Sequence, residues 1–391
     1  MKITRTGINR QANRDKIDKF WYYRHSLLTV HNGDFMNYNE THSYQALMRY
    51  AERLTCNEFH VKFDPETGLH AIIAIHSNTL GPAIGGCRLK PYTNAGMAMK
   101  DVLQLSYMMT LKAAISDLPH GGAKSVIIAP DHMKDRHALF QSFGDFVHQM
   151  NGRYITAMDV GTETTDMDAI AERTPYVIGA RGTHASHDDP SFHTALGVLR
   201  GIQACVQFKL NRDSLDGIRV AIQGAGHVGY ELAKLLAEKG AQLSICDPRD
   251  DAVQRCVKEF NATAVALDDI YDVDCDVFAP CALGGIINNG TIARLKASII
   301  AGSANSQLAH KKFGAILQAM GILYAPDFVI NSGGLIQAAM IYDYNDVSMA
   351  IEKIDNLYNI LLNIFERASN EKLSTTEVAR RAALEKLNVK E

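Results

Sequence analysis

The chain has 391 residues, a formal net charge of −3 and 47% hydrophobic residues, which is an ordinary globular composition on a chain too long for one core, so we expect two domains. The near balance of charge excludes a global basic field that would attract nucleic acid or an anionic membrane, and no apolar run reaches the length of a membrane helix. We therefore expect a cytoplasmic protein whose partners are small molecules.

The first half of the chain predicts a mixed α/β domain. Residues 1–35 are basic with scattered aromatic residues and predict an N-terminal arm. An amphipathic helix from residue 43 and a β-hairpin with its turn at residues 64–68 follow, and then a glycine-rich segment at residues 80–89. We assign residues 36–190 to a substrate-binding, catalytic domain.

Two lysines mark the chemical centre of this domain. Lys112 lies near the end of a predicted helix over residues 94–112, and Lys124 follows a glycine pair that opens a β-branched run. If both face one dry cavity, desolvation and mutual repulsion lower the pKa of one of them, which then serves as a base while the other holds a carboxylate. The alternative is that both lie at the surface, as most lysines do.

Asp159 is the third candidate, because it ends the predicted strand RYITAM that follows a helix over residues 136–150. A carboxylate at a strand end is available for proton transfer, although a helix cap or an ion-pair partner is the alternative role.

A polar, turn-rich segment at residues 179–192 marks the domain boundary, and a long apolar-faced helix over residues 194–208 follows it. The histidines and aspartates near this boundary resemble a metal ligand set, but such residues on a loop are more often solvated surface, so we predict no metal site. They are His184, His187, Asp188, Asp189 and His193.

The second half carries a strong dinucleotide-binding signal. A strand, RVAIQ, leads into a glycine turn and a helix, and the next strand ends at Asp247. Glycines at these spacings allow a tight turn and close approach of a pyrophosphate, while the acidic residue accepts hydrogen bonds from ribose hydroxyls and repels a 2′-phosphate, so NAD is favoured over NADP. The turn consists of Gly224, Ala225, Gly226, His227, Val228 and Gly229.

Further short strands at residues 277–279, 298–301 and 322–325 alternate with helices, which predicts a parallel sheet. We therefore assign residues 191–335 to a Rossmann-type domain. The helical remainder, residues 336–391, is expected to pack back on the first domain.

These motifs occur in one order that resembles the glutamate, leucine, phenylalanine and valine dehydrogenase family, and its leucine-specific members most, over about residues 45–365. The resemblance implies a substrate domain and a Rossmann domain separated by a cleft. It also implies NAD-dependent, reversible oxidative deamination of an L-amino acid to a 2-oxo acid and ammonia. A homo-oligomer is implied as well, with an octamer as one candidate state.

The resemblance implies a role for each site residue. Lys112 would hold the substrate carboxylate beside a backbone turn at Gly85 and Gly86, Lys124 would be the catalytic lysine, and Asp159 would exchange a proton with the substrate nitrogen. Two further residues, Thr194 and Asn305, would bind the nicotinamide carboxamide. The pocket for the substrate side chain would be lined by Ile84, Ala157, Leu335 and Ala338.

This apolar lining favours an aliphatic, branched-chain substrate and disfavours glutamate. Leu335 is closer to family members that prefer aromatic side chains, so a phenylalanine or tryptophan dehydrogenase is the alternative. A catalytically inactive NAD-binding regulator is a third hypothesis, which the presence of both lysines and Asp159 disfavours.

Overall fold

The computed structural model describes residues 48–52, 54–182 and 189–388. The predicted arm at residues 1–35 and the start of the helix predicted from residue 43 lie outside the described residues. Two β-sheets organise the rest, as expected for a two-domain α/β protein.

The first sheet is mixed and has the strand order β1-β2-β4-β3-β5. Its strands are β1 (Glu58–Asp64), β2 (Leu69–Ser77), β3 (Ala83–Lys90), β4 (Gly121–Ile128) and β5 (Tyr154–Met158). The antiparallel pairing of β1 with β2 confirms the predicted hairpin, whereas β3, β4 and β5 run parallel. The parallel strands therefore bring their carboxyl ends to one edge.

Helices cover this sheet: α1 (Ala95–Ile115), α2 (Arg136–His148) and α3 (Thr164–Ala171). The α1 helix begins at Asn94, whose side chain accepts a hydrogen bond from the Met97 N–H and so satisfies an otherwise unpaired donor. This helix carries Lys112 in its last turn.

The segment at Gly85 and Gly86 differs from the sequence expectation. The resemblance implied a backbone turn there, but both glycines lie inside β3. A Cβ added to Gly85 would lie 1.8 Å from the carbonyl oxygen of Ala123 in β4. The glycine pair therefore permits close packing at the centre of the sheet rather than a change of chain direction.

The second sheet is parallel and has the order β11-β10-β9-β6-β7-β8. The strands are β6 (Arg219–Gln223), β7 (Gln242–Cys246), β8 (Thr263–Ala264), β9 (Val277–Pro280), β10 (Ile299–Ile300) and β11 (Leu323–Tyr324). Numbered within this sheet, the order is the 3-2-1-4-5-6 arrangement of a dinucleotide-binding Rossmann fold, and the order reverses between β6 and β9. Ligands bind at that point, beyond the strand ends.

The helices of this half are α4 (Pro190–Leu210), α5 (His227–Glu238), α6 (Asp250–Phe260) and α7 (Lys312–Ala319). The α4 helix begins earlier than predicted because Asp189 caps it by accepting from the Ser191 N–H, and Pro190 suits the first turn. Its buried face, which includes Val198 and Ile202, belongs to the same apolar cluster as Ile222 of β6 and Leu111 of α1.

Helices complete the chain: α8 (Asp327–Ile330), α9 (Gly333–Tyr344), α10 (Val347–Asp355), α11 (Leu357–Glu371) and α12 (Thr375–Lys386). Lys386 of α12 donates to the carbonyl of Ile115 at 3.3 Å and to the carboxylate of Asp117 at 2.6 Å. The domain boundaries drawn from the sequence stay predictions. In the described part of the chain, no helix is both long enough and apolar enough to span a bilayer.

Candidate active site

The parallel strands of the first sheet bring together a lysine and a carboxylate. Nζ of Lys124, in β4, lies 3.1 Å from Oδ2 of Asp159, which directly follows β5, and the lysine side chain is only 8% exposed. Gly86 of the intervening β3 makes this possible, because a Cβ there would lie 3.2 Å from the Lys124 Nζ and 2.9 Å from the Asp159 Cβ. The arrangement can pass a proton between an amine and a carboxylate.

Arg88 is a second cation on the same carboxylate. Its Nε donates to Oδ2 of Asp159 at 2.8 Å. Burial raises the pKa of Asp159, but the charges of Lys124 and Arg88 outweigh burial and hold this pKa below its usual range. Asp159 is therefore an anion at neutral pH.

Lys112 lies close enough to this pair to interact with it. Burial lowers the pKa of Lys112 to about 8; Asp327 and Asp159 oppose this shift and repulsion from Lys124 adds to it. An amine with that pKa is mostly protonated at pH 7, so it can bind a carboxylate. The lowered pKa thus belongs to Lys112, the lysine expected to bind the substrate carboxylate, although the sequence led us to expect a lowered pKa at the base.

Asp327 is a site residue that the sequence analysis missed. Its buried carboxylate accepts hydrogen bonds from the backbone N–H groups of Gln307 at 3.1 Å and Phe328 at 2.8 Å, and its charge attracts Lys112. Burial outweighs these interactions and raises the pKa of Asp327. Its position shortly after β11 is a signal that could have revealed it, because ligands of such sheets bind beyond the carboxyl ends of the strands.

The predicted lining residues of the substrate pocket belong to one apolar cluster. Ile84 of β3 is fully buried in it, while Ala157 of β5 and two residues of α9, Leu335 and Ala338, pack against it half-buried. Close packing of α9 on α4 sets their position, since a Cβ on Gly333 would lie 2.0 Å from the carbonyl oxygen of His193.

The glycine turn of the second domain has the features that a dinucleotide requires. Gly224 has a φ of +104°, and a Cβ on Gly229 would lie 1.9 Å from the Gly224 carbonyl oxygen, so both positions need glycine. A Cβ on Gly226, by contrast, would meet nothing within 4 Å. That open side is at the N-terminus of α5, where backbone N–H groups and the helix dipole attract a pyrophosphate.

The flanking residues of the turn complete this site. Ala225 is buried and Val228 is half-buried, whereas His227 is exposed, with Nδ1 at 3.3 Å from the carboxylate of Asp189. His227 is thus a solvent-facing side chain at the N-terminus of α5, next to the open side of Gly226.

Asp247 ties the glycine turn to β7. Its Oδ2 accepts from the Ala225 N–H at 2.8 Å and its Oδ1 accepts from the Arg249 N–H at 2.9 Å. Burial raises the pKa of this carboxyl, but these backbone donors and the Arg249 charge outweigh burial and lower it, so the group is ionised.

The predicted nicotinamide contacts lie on two elements of the second domain. Asn305 is exposed, and its Oδ1 accepts from Nδ2 of the buried Asn331 at 2.8 Å. This bond leaves the amide N–H₂ of Asn305 to donate to a carboxamide. Oδ1 of Asn331 is buried without a hydrogen-bond partner among the described residues, as expected beside a polar ligand group. Thr194 lies half-buried in α4.

The boundary segment is only partly described. His184, His187 and Asp188 lie outside the described residues. The prediction of solvated surface is wrong for His193, which is 4% exposed because it lies on the buried face of α4. Within the described ranges, no group of three or more histidine, cysteine or carboxylate side chains could hold a metal ion.

The fold and the lysine–carboxylate site define an amino-acid dehydrogenase architecture, and the family models agree. Residues 53–176 match the model of the Glu/Leu/Phe/Val dehydrogenase dimerisation domain, and residues 244–389 match the model of the Glutamate/Leucine/Phenylalanine/Valine dehydrogenases. The chain belongs to this family of amino-acid dehydrogenases.

The chain's relatives within the family differ in substrate. It is 45% identical to a leucine dehydrogenase of Geobacillus stearothermophilus over 90% of this chain and 93% of that one. It is 39% identical to a phenylalanine dehydrogenase of Caldalkalibacillus thermarum over 89% and 94% of the two chains. The crystal structure of L-tryptophan dehydrogenase from Nostoc punctiforme superposes with a TM-score of 0.78 at 40% identity and covers 88% of this chain and 98% of that one.

Proposed function

We propose that this protein catalyses the reversible, NAD-dependent oxidative deamination of an L-amino acid with an apolar side chain, leucine or another branched-chain amino acid, to the 2-oxo acid and ammonia. The observation that carries the proposal is the buried pair of Lys124 and Asp159, with Lys112 next to it. An amine base, an anionic proton carrier and a carboxylate-binding cation are the groups that this chemistry needs at one place.

The substrate carboxylate pairs with the Lys112 ammonium, which fixes Cα in the cleft. A bound nicotinamide supplies the hydride acceptor for the Cα hydrogen. Lys124, acting as the base, then takes a proton from a water molecule as the oxygen of that water bonds to the resulting iminium carbon. Asp159 and Lys124 move a proton onto the nitrogen of the carbinolamine that forms. Lys124 then takes the hydroxyl proton as the C–N bond breaks, so that ammonia leaves and the 2-oxo acid remains.

The residues of the second domain support NAD as the cofactor. The open side of Gly226 and the N-terminus of α5 would hold the pyrophosphate, while Thr194 and Asn305 would bind the carboxamide. The ionised Asp247 next to the turn would repel a 2′-phosphate, which favours NAD over NADP.

The apolar pocket supports an uncharged substrate side chain. Ile84, Ala157 and Ala338 are all apolar, and the similarity to a tryptophan dehydrogenase makes an aromatic amino acid the second candidate. One methylene contributes only about 1–3 kcal/mol to discrimination in such a pocket, so a graded preference among apolar amino acids is expected.

The test is a panel of L-amino acids with NAD and with NADP, followed at the absorbance band of the reduced nicotinamide. We expect the highest kcat/KM with leucine, isoleucine or valine and with NAD. A higher kcat/KM with phenylalanine or tryptophan would support the aromatic alternative. NAD binding without reduction by any amino acid would contradict the proposed activity and support a non-catalytic regulator.

We further propose that the protein is a homo-oligomer. The description of the first matching family model as a dimerisation domain supports this, and an octamer is one candidate state. Sedimentation equilibrium of the full chain measures the mass directly, and a monomer at assay concentration would contradict the proposal.

A further inference from the structure

Arg88 and its surroundings form a charged cluster that the proposed reaction does not yet explain. Arg88 extends from β3 between two carboxylates. Its Nε donates to Oδ2 of Asp159 at 2.8 Å, and its Nη1 donates to Oδ2 of Asp101 at 3.1 Å. The Arg88 side chain is 18% exposed, so these contacts are made largely out of solvent.

Asp101, on α1, is in turn held by the segment after β3. Tyr92 donates its hydroxyl to Asp101 Oδ2 at 2.7 Å, and Lys90 Nζ lies 3.4 Å from the same oxygen. Asp101 therefore fixes Nη1 of the guanidinium. Because the guanidinium is planar and rigid, this contact also fixes the position of Nε against Asp159.

The two cations on Asp159 converge on a single oxygen atom. Arg88 and Lys124 both contact Oδ2, while Oδ1 accepts no hydrogen bond from the described residues. The free oxygen is the one available to a substrate nitrogen. The orientation of the carboxylate therefore depends on Arg88 as well as on Lys124.

We propose that Arg88 is a positioning residue for the proposed deamination: it holds Oδ2 of Asp159 so that Oδ1 faces the substrate nitrogen, and its positive charge stays beside this carboxylate throughout the reaction. The inference rests on the proposed function. Arginine suits the task because it stays protonated at every working pH, whereas a lysine would itself titrate near a second lysine.

The remaining titratable groups around Asp159 do not supply this constant charge. Burial raises the pKa of the Cys87 thiol to about 12, and burial likewise raises the pKa of the Tyr92 and Tyr154 hydroxyls far above neutrality, so all three are uncharged in the assay range. Lys112 is occupied by the substrate carboxylate in the complex. Arg88 is thus the fixed cation among the described groups that act on Asp159.

The experiment compares kcat against pH for oxidative deamination in the full-length protein and in charge variants of this cluster. Arg88→Gln removes a cation beside Asp159, so the pKa of the Asp159 carboxyl and that of the bound substrate amine rise. We expect the acid limb of the kcat profile to move to higher pH by about one unit and kcat to fall about a hundredfold.

Asp101→Asn removes an anion from the same cluster. We therefore expect the acid limb of its kcat profile to shift in the opposite direction, to lower pH. Arg88→Lys keeps the charge but not the fork, so we expect a reduced kcat with an acid limb close to that of the wild type. The matched control is Arg173→Gln, which breaks the ion pair with Asp145 elsewhere in the same domain and should leave the profile unchanged.

Thermal melting and NADH binding show which variants fold. If Arg88→Gln does not fold, Arg88→Lys and Asp101→Asn carry the test. An active wild type whose acid limb stays in place in Arg88→Gln, or moves the same way in Arg88→Gln and Asp101→Asn, would overturn this inference alone. If the wild-type protein reduces NAD with none of the L-amino acids tested, the proposed function is overturned, and this inference with it.

Discussion

At the scale of single residues, the site depends on amines and carboxylates that lose water together. Lys124 is buried against Asp159, and Lys112 has a pKa of about 8 because of burial. In bulk water the same groups would keep their ordinary pKa values. Burial in one place therefore gives otherwise common residues their chemical roles.

The base can be tested by removing it. In Lys124→Ala we expect kcat to fall by about three orders of magnitude because no amine remains to deprotonate water, while NAD affinity stays within about twofold. Stopped-flow absorbance gives the turnover and fluorescence titration gives the affinity. Lys100→Ala, an exposed lysine of α1, is the control and should match the wild type; turnover retained in Lys124→Ala would reject the assigned role.

The pKa of Lys112 predicts how carboxylate binding depends on pH. Only the ammonium form attracts a carboxylate, so binding is strong below pH 8 and is lost as pH rises above it. 4-Methylpentanoate lacks an amine, so it tests the carboxylate contact alone. We expect its inhibition constant to be independent of pH below pH 8 and to rise about tenfold per pH unit above it. In Lys112→Met the inhibition constant should be high at all pH values, because no ammonium group remains at this position. A wild-type constant that stays flat to pH 10 would contradict the assignment.

At the scale of elements, glycines decide how closely strands and helices approach each other. Gly85 lets β3 pack against β4, and Gly86 leaves space for Asp159 after β5 and for the Lys124 amine. Gly224 and Gly229 shape the turn before α5, whereas the Gly226 position faces open space. Two glycines of this motif are thus required by the fold, while the third leaves space for a ligand. Substitutions at the individual glycines can distinguish these two roles.

Gly226 and Gly229 form a matched pair for locating the cofactor. Gly226→Ala places its methyl group in the open side, with a φ of −69° that alanine tolerates, so we expect an unchanged melting temperature. The methyl group blocks the pyrophosphate, and NAD should bind at least about tenfold more weakly. Calorimetric titration measures this affinity. Gly229→Ala should instead destabilise the fold, since its Cβ would overlap the Gly224 carbonyl.

The outcome distinguishes a cofactor site from a structural turn. Unchanged NAD affinity in a folded Gly226→Ala protein would mean that the dinucleotide lies elsewhere.

At the scale of the whole molecule, one buried histidine connects distant parts of the chain. His120, which is 2% exposed, faces the carbonyl oxygen of Pro82 at 2.9 Å through Nδ1 and the Asp343 carboxylate at 2.7 Å through Nε2. Asp343 lies in the last turn of the α9 helix, which carries Leu335 and Ala338. The contact therefore links the first sheet to the helix that carries two residues of the proposed substrate pocket.

Removing this link should lower stability. In His120→Ala we expect the free energy of unfolding to fall by about 2 kcal/mol, because the buried contacts of the imidazole with the Pro82 carbonyl and the Asp343 carboxylate are lost. Urea denaturation measures the change. His137→Ala breaks an exposed pair with Glu172 and should cost less than about 0.5 kcal/mol. Equal losses in the two variants would show that the His120 contact is no stronger than a surface pair.

The sequence by itself determined the elements and the motifs that reside within them. Alternating apolar residues around residues 64–68 specified the hairpin, and the strand, glycine turn and helix around Gly226 specified the Rossmann domain and the position of Asp247. These signals are local, because periodicity and glycine spacing act on residues close along the chain.

Only the tertiary structure decided which residues meet. Strand order and helix docking create three contacts between residues that are distant in sequence. Arg88 contacts both Asp101 and Asp159, and Asp327 attracts Lys112. His120 pairs with Asp343 across 223 residues of sequence. The same holds for Gly85 and Gly86, which lie in a strand rather than the expected turn because β4 packs directly beside them. Burial and charge neighbours fix pKa values, and no local pattern contains that information.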